Sequence, residues 1–420
     1  MKIKPTSLPL LVIVASLALG QAAHAQNKLL DVLQDENARD ADFWIYNDLA
    51  AARAEARRTN KPLFVTFRCV PCADCKGFDA EVAKNNQRIK NLVQEAFVAV
   101  RQVEMKGVDL SQFQFDYDLN WAAMFINADG TVYARYGTQS AMGADAYNSV
   151  ESLEKTMRRV LALHNGYPAN HAALAGKLGK PKPYKSALQM PGMKHRSKLA
   201  GSTARNNCVH CHNIHDAEHE QLQDAGRLNH DTLWRYPLPD NLGLQLDPSD
   251  GLVVTAVQAD SPADKAGLHP GDVLTRADGQ VLTSIADLQW VLHNLPNTRA
   301  SVTLKATRGD SAIEKKLTMN AGWKKTDISW RGSIWSIKPV LATWCAPMKD
   351  KQIKPLRLAK GVKPLEVRWI NTDRPEGRNA KRAGLQKGDI IIGMEGNPLR
   401  ISSEHFNMHV KLNYKVGDKL

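Results

Sequence analysis

The chain carries, at residues 62–76, the stretch PLFVTFRCVPCADCK. Its first half is apolar and rich in β-branched and aromatic residues, which is typical of a buried strand. Three cysteines follow at once, and a helical stretch begins near Asp79. A thiol between a strand and a helix lies in the positive field of unpaired backbone amides, which favours the thiolate. Lys76 strengthens that field and Asp74 opposes it, so the pattern predicts a reactive thiol group at the end of a strand.

Strands and helices alternate on both sides of this stretch. The predicted strands are residues 62–67, 97–103, 122–126 and 132–136, and the predicted helices are residues 47–59, 79–96 and 149–164. The sequence Asn127-Ala128-Asp129-Gly130 supplies a hairpin turn between the last two strands. This order predicts a single α/β domain.

A helix, Lys-Pro, a strand, Cys-x-x-Cys and Lys in this order resemble a thioredoxin-like domain, over about residues 40–160. The resemblance implies that Cys72 is the nucleophile and Cys75 the resolving thiol. Cys69 adds a third thiol to this cysteine cluster, so a disulfide between Cys69 and Cys72 stays open. The stretch 120–125 lacks the cis-proline usual in such enzymes, which indicates different substrate handling. A structural disulfide and metal binding by the three thiols are the alternatives to a redox-active dithiol.

The N-terminus has the pattern of a secretory signal. Lys2 and Lys4 precede the apolar run 8–19, and Ala23-His24-Ala25 offers a small-x-small cleavage site. An uncleaved membrane anchor is the alternative, although the run is short for a membrane span, which needs about 20 residues. We therefore expect cleavage after Ala25 and a periplasmic protein, in a compartment that permits disulfides and covalently attached cofactors.

The composition is that of a soluble globular protein and does not favour nucleic-acid binding. The 420 residues are 43% hydrophobic and 24% charged, as in a soluble globular protein. At about 150 residues per domain, the length predicts roughly three compact units. The net charge of +13 is spread over scattered Lys and Arg without a long basic run. It favours acidic partners or peripheral association with an anionic membrane surface, and it argues against nucleic acid.

The motif Cys208-Val209-His210-Cys211-His212 matches the attachment sequence of c-type haem. In that chemistry Cys208 and Cys211 form thioethers with the porphyrin and His212 ligates the iron. Export adds to the prediction of haem c, because covalent attachment in bacteria follows translocation. His215 lies on the same helix face as His212, whereas axial ligands approach the iron from opposite sides. The candidates for the second axial ligand are His230, Met190 and Met193.

Two other uses of the same residues stay open. Zinc is the alternative cofactor, and it would be held by Cys208, Cys211, His215 and His219, which have tetrahedral ligand types at close spacing. A plain disulfide between the two cysteines, with solvated histidines, is the third interpretation. His210 is expected to face solvent.

The C-terminal half contains a repeat, since AGLHPGDVL at residues 266–274 matches AGLQKGDII at residues 383–391. With its surrounding motifs, the first copy resembles a bacterial PDZ domain over about residues 238–320. That resemblance implies a loop, Leu242-Gly243-Leu244, whose amides hold the C-terminal carboxylate of a peptide. The helix 285–292 would form the other wall of the groove. A domain that only docks or spaces its neighbours is the alternative.

The second copy is predicted to start near Gly361 and to be incomplete, because Leu420 corresponds to Thr303 of the first copy. A sheet without the missing hairpin would expose an unpaired edge. The tryptophans between the copies are expected to pack at a domain seam; they are Trp323, Trp330, Trp335 and Trp344. Cys345 is expected to be a buried or partly buried free thiol.

The predicted fold class is multidomain, α/β plus mainly β. The organisation is a signal peptide at 1–25, a thioredoxin-like domain at 26–165, a linker at 166–200, a short helical CxxCH segment at 201–237, a PDZ domain at 238–322, a Trp-rich connector at 323–360 and a truncated second PDZ-like domain at 361–420. This order resembles a family of secreted thioredoxin-and-PDZ proteins, some of which carry selenocysteine.

The leading functional hypothesis is a thiol-disulfide redox protein that recruits peptide ends and meets a redox partner protein. The alternative is a noncatalytic PDZ adapter with structural cysteine sites. Proteolysis is disfavoured, because the N-terminal domain is too short for a trypsin-like double barrel and the chain has no Gly-x-Ser-Gly-Gly segment.

Overall fold

The computed structural model describes residues 28–39, 41–70 and 76–419. Two compact units divide this part of the chain: the first runs to Ala217 and continues from Trp234 to Asp327, and the second comprises Glu218–Leu233 and the chain from Ile328. Within the described ranges, no helix combines the length and apolar character needed to cross a membrane. The predicted signal peptide lies outside the described residues.

A five-stranded sheet organises the N-terminal part of the first unit. Its strands are β1 Trp44–Tyr46, β2 Leu63–Arg68, β3 Val98–Gln102, β4 Trp121–Ile126 and β5 Val132–Tyr136. The spatial order is β1-β3-β2-β4-β5. The first three strands are mutually parallel, and β4 and β5 run antiparallel to their neighbours. The predicted turn joins β4 to β5, with Gly130 at a φ of +102° that favours glycine.

Helices cover both faces of this sheet. They are α1 Leu49–Thr59, α2 Lys76–Ala80, α3 Gln87–Ala96 and α4 Val150–Asn165. The single helix predicted over 79–96 is interrupted by a π-helical turn at Glu81–Asn85. Asn86 has an extended backbone, and its side chain accepts hydrogen bonds from the amides of Arg88 and Ile89. A new helix therefore starts there, because Asn is a strong N-cap.

Successive strand residues point to opposite faces, so β2 contributes to two cores. Val65 and Phe67 pack on the α1 side, whereas Phe64 packs with α3 and α4. Each of these side chains is at most 1% exposed. Burial of such a side chain stabilises the fold by about 1.5–3 kcal/mol.

The prediction of a linker at 166–200 is wrong, because this segment packs against the thioredoxin-like domain. The helices of this region and the next are α5 His171–Leu174, α6 Arg196–Leu199 and α7 His212–Asp224. Leu174, Ala187 and Met190 are almost fully buried. Composition suggested a linker because Lys, Pro and Gly dominate, while the few apolar anchors are too widely spaced to give a periodic signal.

The remainder of the first unit is a β-rich domain that resembles the predicted PDZ domain. Its elements are β6 Leu244–Leu246, β7 Val254–Val257, α8 Pro262–Lys265, β8 Val273–Ala277, β9 Gln280–Val281, α9 Ile285–Asn294, β10 Ala300–Arg308 and β11 Ser311–Met319. The long hairpin of β10 and β11 continues the sheet through β8 to β9, and β6 pairs separately with β7. Leucines and valines from both sheets form one core with α9.

The second unit contains its own small core around Val367 and Phe406. Its elements from residue 328 onward are β12 Thr343–Pro347, α10 Asp350–Ile353, β13 Leu365–Ile370, α11 Pro375–Arg382, β14 Ile390–Ile391, β15 Gly393–Met394, β16 Asn397–Pro398 and α12 Ser403–Asn413. Past α12, the described chain forms no further strand.

The pairing of β12 with β13 reproduces that of β6 with β7. Both ladders are antiparallel and have a bulge after their second residue pair. The amide of Asn371 donates to the carbonyl of Ala342, as the amide of Gln258 donates to the carbonyl of Gly243, both at 2.8 Å. The repeat therefore begins at β12, earlier than the predicted boundary at Gly361. Sequence comparison at one fixed offset missed it, because the spacing between the two strands differs in the two copies.

Candidate functional site

Cys69, the one described residue of the cysteine cluster, lies at the carboxyl ends of two adjacent parallel strands. Cys69 directly follows β2, and Val103 directly follows β3. Parallel neighbours end at the same edge of a sheet, where α/β folds place their ligands. Cys72 and Cys75 lie outside the described residues, so their predicted roles stay predictions.

The CVHCH motif, residues 208–212, packs against this same edge. The amide of Met105 donates to the carbonyl of Val209 at 3.1 Å, and the amide of Val209 donates to Oε1 of Glu104 at 3.0 Å. The thiol of Cys208 donates to the carbonyl of Val103 at 3.4 Å. The motif is thus fastened to the chain that leaves β3.

The two cysteine-containing regions meet at His210. Its Nδ1 lies 2.9 Å from Sγ of Cys69, across 141 residues of sequence. The backbone amide of His210 donates to Oδ1 of Asn213 at 3.0 Å, in the first turn of α7. Its ring is held edge-on to that of His212, with centroids 5.7 Å apart. The prediction that His210 faces solvent is therefore wrong: it is half-buried against the cysteine cluster.

Burial dominates the proton affinities at this edge. It raises the pKa of the Cys208 thiol, and the carboxylate of Glu104 and the neighbouring Cys69 raise it further. It also raises the pKa of the Cys211 thiol, with Cys69 again adding to the effect. Burial and His212 lower the pKa of His210. Neutral thiols and a neutral imidazole are therefore the favoured forms at pH 7.

This arrangement fits a porphyrin poorly. Thioether formation needs both sulfurs at an apolar face that can receive the haem. The Cys208 thiol is instead hydrogen-bonded to a backbone carbonyl beside Glu104, and Val209 between the cysteines is fully buried in the domain core. Haem attachment through Cys208, Cys211 and His212 stays a prediction of the motif alone.

The predicted additional ligands are dispersed. Met190 and Met193 are buried in the α1-side core, at 0% and 7% exposure. His230 belongs to the second unit, where its Nδ1 donates to the carbonyl of Leu412. His219 also belongs to that unit, and its Nδ1 pairs with the hydroxyl of Ser336. The zinc set of Cys208, Cys211, His215 and His219 is not among the ligand clusters of the described residues.

His215 has a structural contact instead. Its Nδ1 lies 3.0 Å from Oδ2 of Asp118, with both side chains at most 2% exposed. Asp116 approaches the same place, and the ligand atoms of the three residues lie within 4.8 Å of one another. This buried contact fastens the start of α7 to the loop before β4.

A buried charge network underlies the cysteine cluster, and sequence reasoning missed it. Arg101 at the end of β3 bridges Asp35 and Asp79, each through two nitrogen-oxygen contacts of 2.7–3.0 Å. Nε of Arg68 lies 3.0 Å from Asp79, and Nη1 of Arg68 donates to the carbonyl of Cys69 at 2.9 Å. All four charged side chains are at most 4% exposed. The available signal was an arginine within the apolar strand Val98–Gln102.

Opposing effects set the protonation of Asp79. Burial disfavours its charged form, but Arg101 and Arg68 outweigh burial and lower the pKa of Asp79 to about 2. The carboxylate therefore stays ionised at neutral pH and ties the helix that follows Cys75 to the strand that precedes Cys69.

The loop predicted to hold a peptide carboxylate is buried. Leu242 and Leu244 are 0% exposed. A Cβ on Gly243 would lie 2.1 Å from the side chain of Ser261. Tyr147, from the thioredoxin-like part of the unit, belongs to the same apolar cluster, and its hydroxyl donates to Asp240 at 2.9 Å. The chain itself thus covers this loop.

The predicted groove helix, α9, is also covered, since all residues from Ile285 to Leu292 are buried. Asp287 accepts a hydrogen bond from the amide of Arg135 in β5 at 3.1 Å and pairs with Nζ of Lys177 at 2.6 Å. Trp290 donates to the carbonyl of Gly176 at 3.0 Å. A polar and aromatic interface therefore joins α9 to the sheet of the N-terminal domain.

An open groove occurs instead in the second unit, beside β12 and α12. It has a volume of about 260 Å³. Ala342, the counterpart of Gly243, adopts a left-handed φ of +50° at the start of the groove. Trp335, Trp344 and Trp369 line it and are 53–61% exposed. The expectation that the tryptophans between the copies pack at a seam is wrong for Trp335 and Trp344.

Basic side chains complete this groove. Arg374 and Lys411 line it. Nζ of Lys411 donates to the carbonyl of Ile337 at 2.6 Å, and burial, with a contribution from Arg374, lowers the pKa of Lys411 to about 8. Residues 328–420 carry 18 Lys and Arg against 8 Asp and Glu. The groove therefore offers aromatic surface and positive charge together. Cys345 lies nearby in β12 and is buried, as expected.

Comparisons with known families identify two domains. The thioredoxin-like family model matches residues 44–128, and the PDZ domain family model matches residues 253–305. The chain thus contains a thioredoxin-like domain and a PDZ domain, which confirms the two resemblances at the level of the domain.

Among curated proteins, the chain is similar to the periplasmic pH-dependent serine endoprotease DegQ of Escherichia coli (strain K12). They are 33% identical over 150 residues, which is 36% of this chain and 29% of DegQ. The periplasmic serine endoprotease DegP of Salmonella typhimurium is 43% identical over 63 residues, 15% of this chain and 13% of DegP. The chain thus spans less than a third of either relative.

Among solved structures, a disulphide isomerase from Xylella fastidiosa Temecula1 matches 27% of this chain and 84% of its own. The sequence identity is 19% and the TM-score is 0.18.

Proposed function

We propose that this protein is a periplasmic thiol-disulfide redox protein whose reacting thiols are those of the cysteine cluster. The observation that carries the proposal is the position of Cys69 at the carboxyl ends of two parallel strands, with the imidazole of His210 2.9 Å from its sulfur. An imidazole at that distance can take up or return the proton that a thiol exchanges.

The proposed reaction assigns one role to each of two thiols. The Cys72 thiolate attacks a client disulfide and forms a mixed disulfide, and the Cys75 thiol then displaces the reduced client. The buried network of Arg68, Asp79 and Arg101 ties the strand that precedes Cys69 to the helix that begins at Lys76. Periplasmic location is supported by the N-terminal pattern and by the partial similarity to periplasmic proteins.

The direct test is reduction of a fluorescent disulfide-linked peptide by the purified mature protein, with dithiothreitol as the source of electrons. We expect the protein to accelerate the reaction well above the rate with dithiothreitol alone. Equal rates with and without the protein would favour the alternative, a noncatalytic adapter.

Peptide recognition is the second proposed function, and the open groove of the second unit supports it. The incoming peptide would lie along β12, with its C-terminal carboxylate near the turn at Ala342 and close to Arg374 and Lys411. Its apolar last residue would contact Trp344 and Trp369, because exposed aromatic surface is a typical energetic anchor. The buried loop Leu242–Leu244 would then serve as a docking element.

We expect a fluorescent peptide with an apolar last residue and a free carboxylate to bind the full-length protein. Arg374→Gln and Trp369→Ala should each weaken binding by about tenfold, since both remove a central contact. Arg382→Gln is the matched control, because Arg382 is also exposed, lies on α11 and does not line the groove. Fluorescence anisotropy measures the Kd. Equal affinity for the C-terminally amidated peptide would contradict carboxylate recognition.

A further inference from the structure

Cys69 and the CVHCH motif are distant in sequence and adjacent in space. Each is anchored separately at the same sheet edge: Cys69 by the Arg68 hydrogen bond to its carbonyl, and Cys208 by its bond to the carbonyl of Val103. His210, between Cys208 and Cys211 in sequence, bridges the two groups through its contact with Cys69. Thiols held at one sheet edge can exchange a disulfide.

We propose that Cys208 and Cys211 form a second dithiol, which exchanges a disulfide with the cysteine cluster through Cys69. This inference rests on the proposed redox function and names the internal partner of the cluster. It also replaces haem attachment at these two cysteines, because a thioether bond consumes the sulfur that exchange requires.

The exchange balances without an outside reactant. The Cys69 thiol attacks Sγ of Cys208 in a Cys208–Cys211 disulfide, so a Cys69–Cys208 bond forms and the Cys211 sulfur leaves, taking up a proton. Cys72 then attacks Cys69, which releases Cys208 as a thiol. Two electrons and two protons pass from the cluster to the pair; the cluster ends as a Cys69–Cys72 disulfide, and each step is reversible.

Burial fits this role. Cys208 is 7% exposed, and Cys211 packs against the core of the thioredoxin-like domain. A pair so placed is poorly accessible to a large client, whereas Cys69 lies beside it, in contact with His210. The second dithiol would therefore store an oxidising or reducing equivalent for the cluster.

The test traps the intermediate in the full-length protein, expressed with its own leader in a bacterium that has the machinery for covalent haem attachment. Cys72→Ser and Cys211→Ser together remove the thiols that would resolve the Cys69–Cys208 bond. After mild oxidation, alkylation and digestion, mass spectrometry should find that bond about tenfold more abundant than any other cross-link. A parallel variant that also carries Cys69→Ser should lack the Cys69–Cys208 bond. Cys345 should be found alkylated, as a thiol that forms no cross-link.

Several results would overturn the exchange: a Cys69–Cys75 bond as the main product, no bond between the two groups, or a wild-type Soret band with both cysteines as thioethers. In wild-type protein, whose folding no substitution disturbs, mild oxidation should yield the Cys208–Cys211 disulfide. Peptide reduction is measured alongside. A trapped Cys69–Cys208 bond without peptide reduction would contradict the redox function alone. Peptide reduction without the trapped bond would contradict the exchange alone.

Discussion

Asp79→Asn is expected to destabilise the first unit by about 3–5 kcal/mol, which is the usual cost of removing one member of a buried ion pair. Asp79 is 0% exposed and contacts Arg101, Arg68, Asn37 and the indole of Trp121. Asparagine keeps the shape but leaves the buried guanidinium groups with less negative charge. In a thermal unfolding experiment the transition should fall by roughly 10 °C.

Asp310→Asn is the matched control for this substitution. Asp310 is exposed in the hairpin between β10 and β11, so its loss should change the unfolding free energy by less than about 0.5 kcal/mol. Equal stability of the two variants would contradict the role of the network.

The same carboxylate predicts how stability depends on pH. Its pKa is lowered from 3.8 to about 2 in the folded protein, so the unfolded chain binds the proton more readily. The stabilisation from Asp79 is therefore complete above the ordinary carboxyl range and is lost as pH falls from about 4 towards 2. Denaturant unfolding of wild type and Asp79→Asn at pH 5 and pH 2.5 should show a smaller difference at the lower pH.

Cys72→Ser is expected to lower the rate of disulfide reduction by about 100-fold or more, because a serine hydroxyl does not form the mixed disulfide. The fluorescent disulfide-linked peptide with dithiothreitol gives the measurement. Cys345→Ser is the control: it makes the same change at a buried thiol of the second unit and should keep the wild-type rate.

A parallel Cys69→Ser variant assigns the attacking sulfur. Full activity in Cys72→Ser with loss in Cys69→Ser would transfer the nucleophilic role to Cys69. The contact between Cys69 and His210 makes this the informative comparison.

Local pattern was sufficient for the thioredoxin-like domain. The four predicted strands are within one or two residues of their predicted bounds, because an apolar run rich in β-branched and aromatic residues, such as Leu63–Phe67, is typical of a buried strand. The short strand Trp44–Tyr46 was not predicted. The helix over 79–96 was predicted too long, since the cap at Asn86 is one polar residue in a polar stretch.

Long-range contacts were beyond the sequence. Nothing in the residues around Cys208 indicates that they pack beside Cys69, because the hydrogen bonds to Val103 and Glu104 depend on the folded sheet edge. The groove loop of the second unit was missed for another reason: its turn uses Ala342 where the first copy has Gly243, so the motif is absent although the backbone conformation is retained. The motif around Gly243 was recognised, yet its packing beside Tyr147, about 100 residues away, could not be read from the sequence.

The interface between α9 and β5 determines whether the PDZ domain can be prepared as an isolated fragment. A fragment cut at residues 238 and 322 would lose Lys177, the ion-pair partner of Asp287. It would also lose Arg135, whose guanidinium carbon lies 3.8 Å from the centre of the Trp290 ring. The excised fragment would expose an apolar and partly charged surface to water, and such a surface favours aggregation. The ends of the family match are therefore poor cutting points, because the N-terminal domain supplies the partners of Asp287 and Trp290.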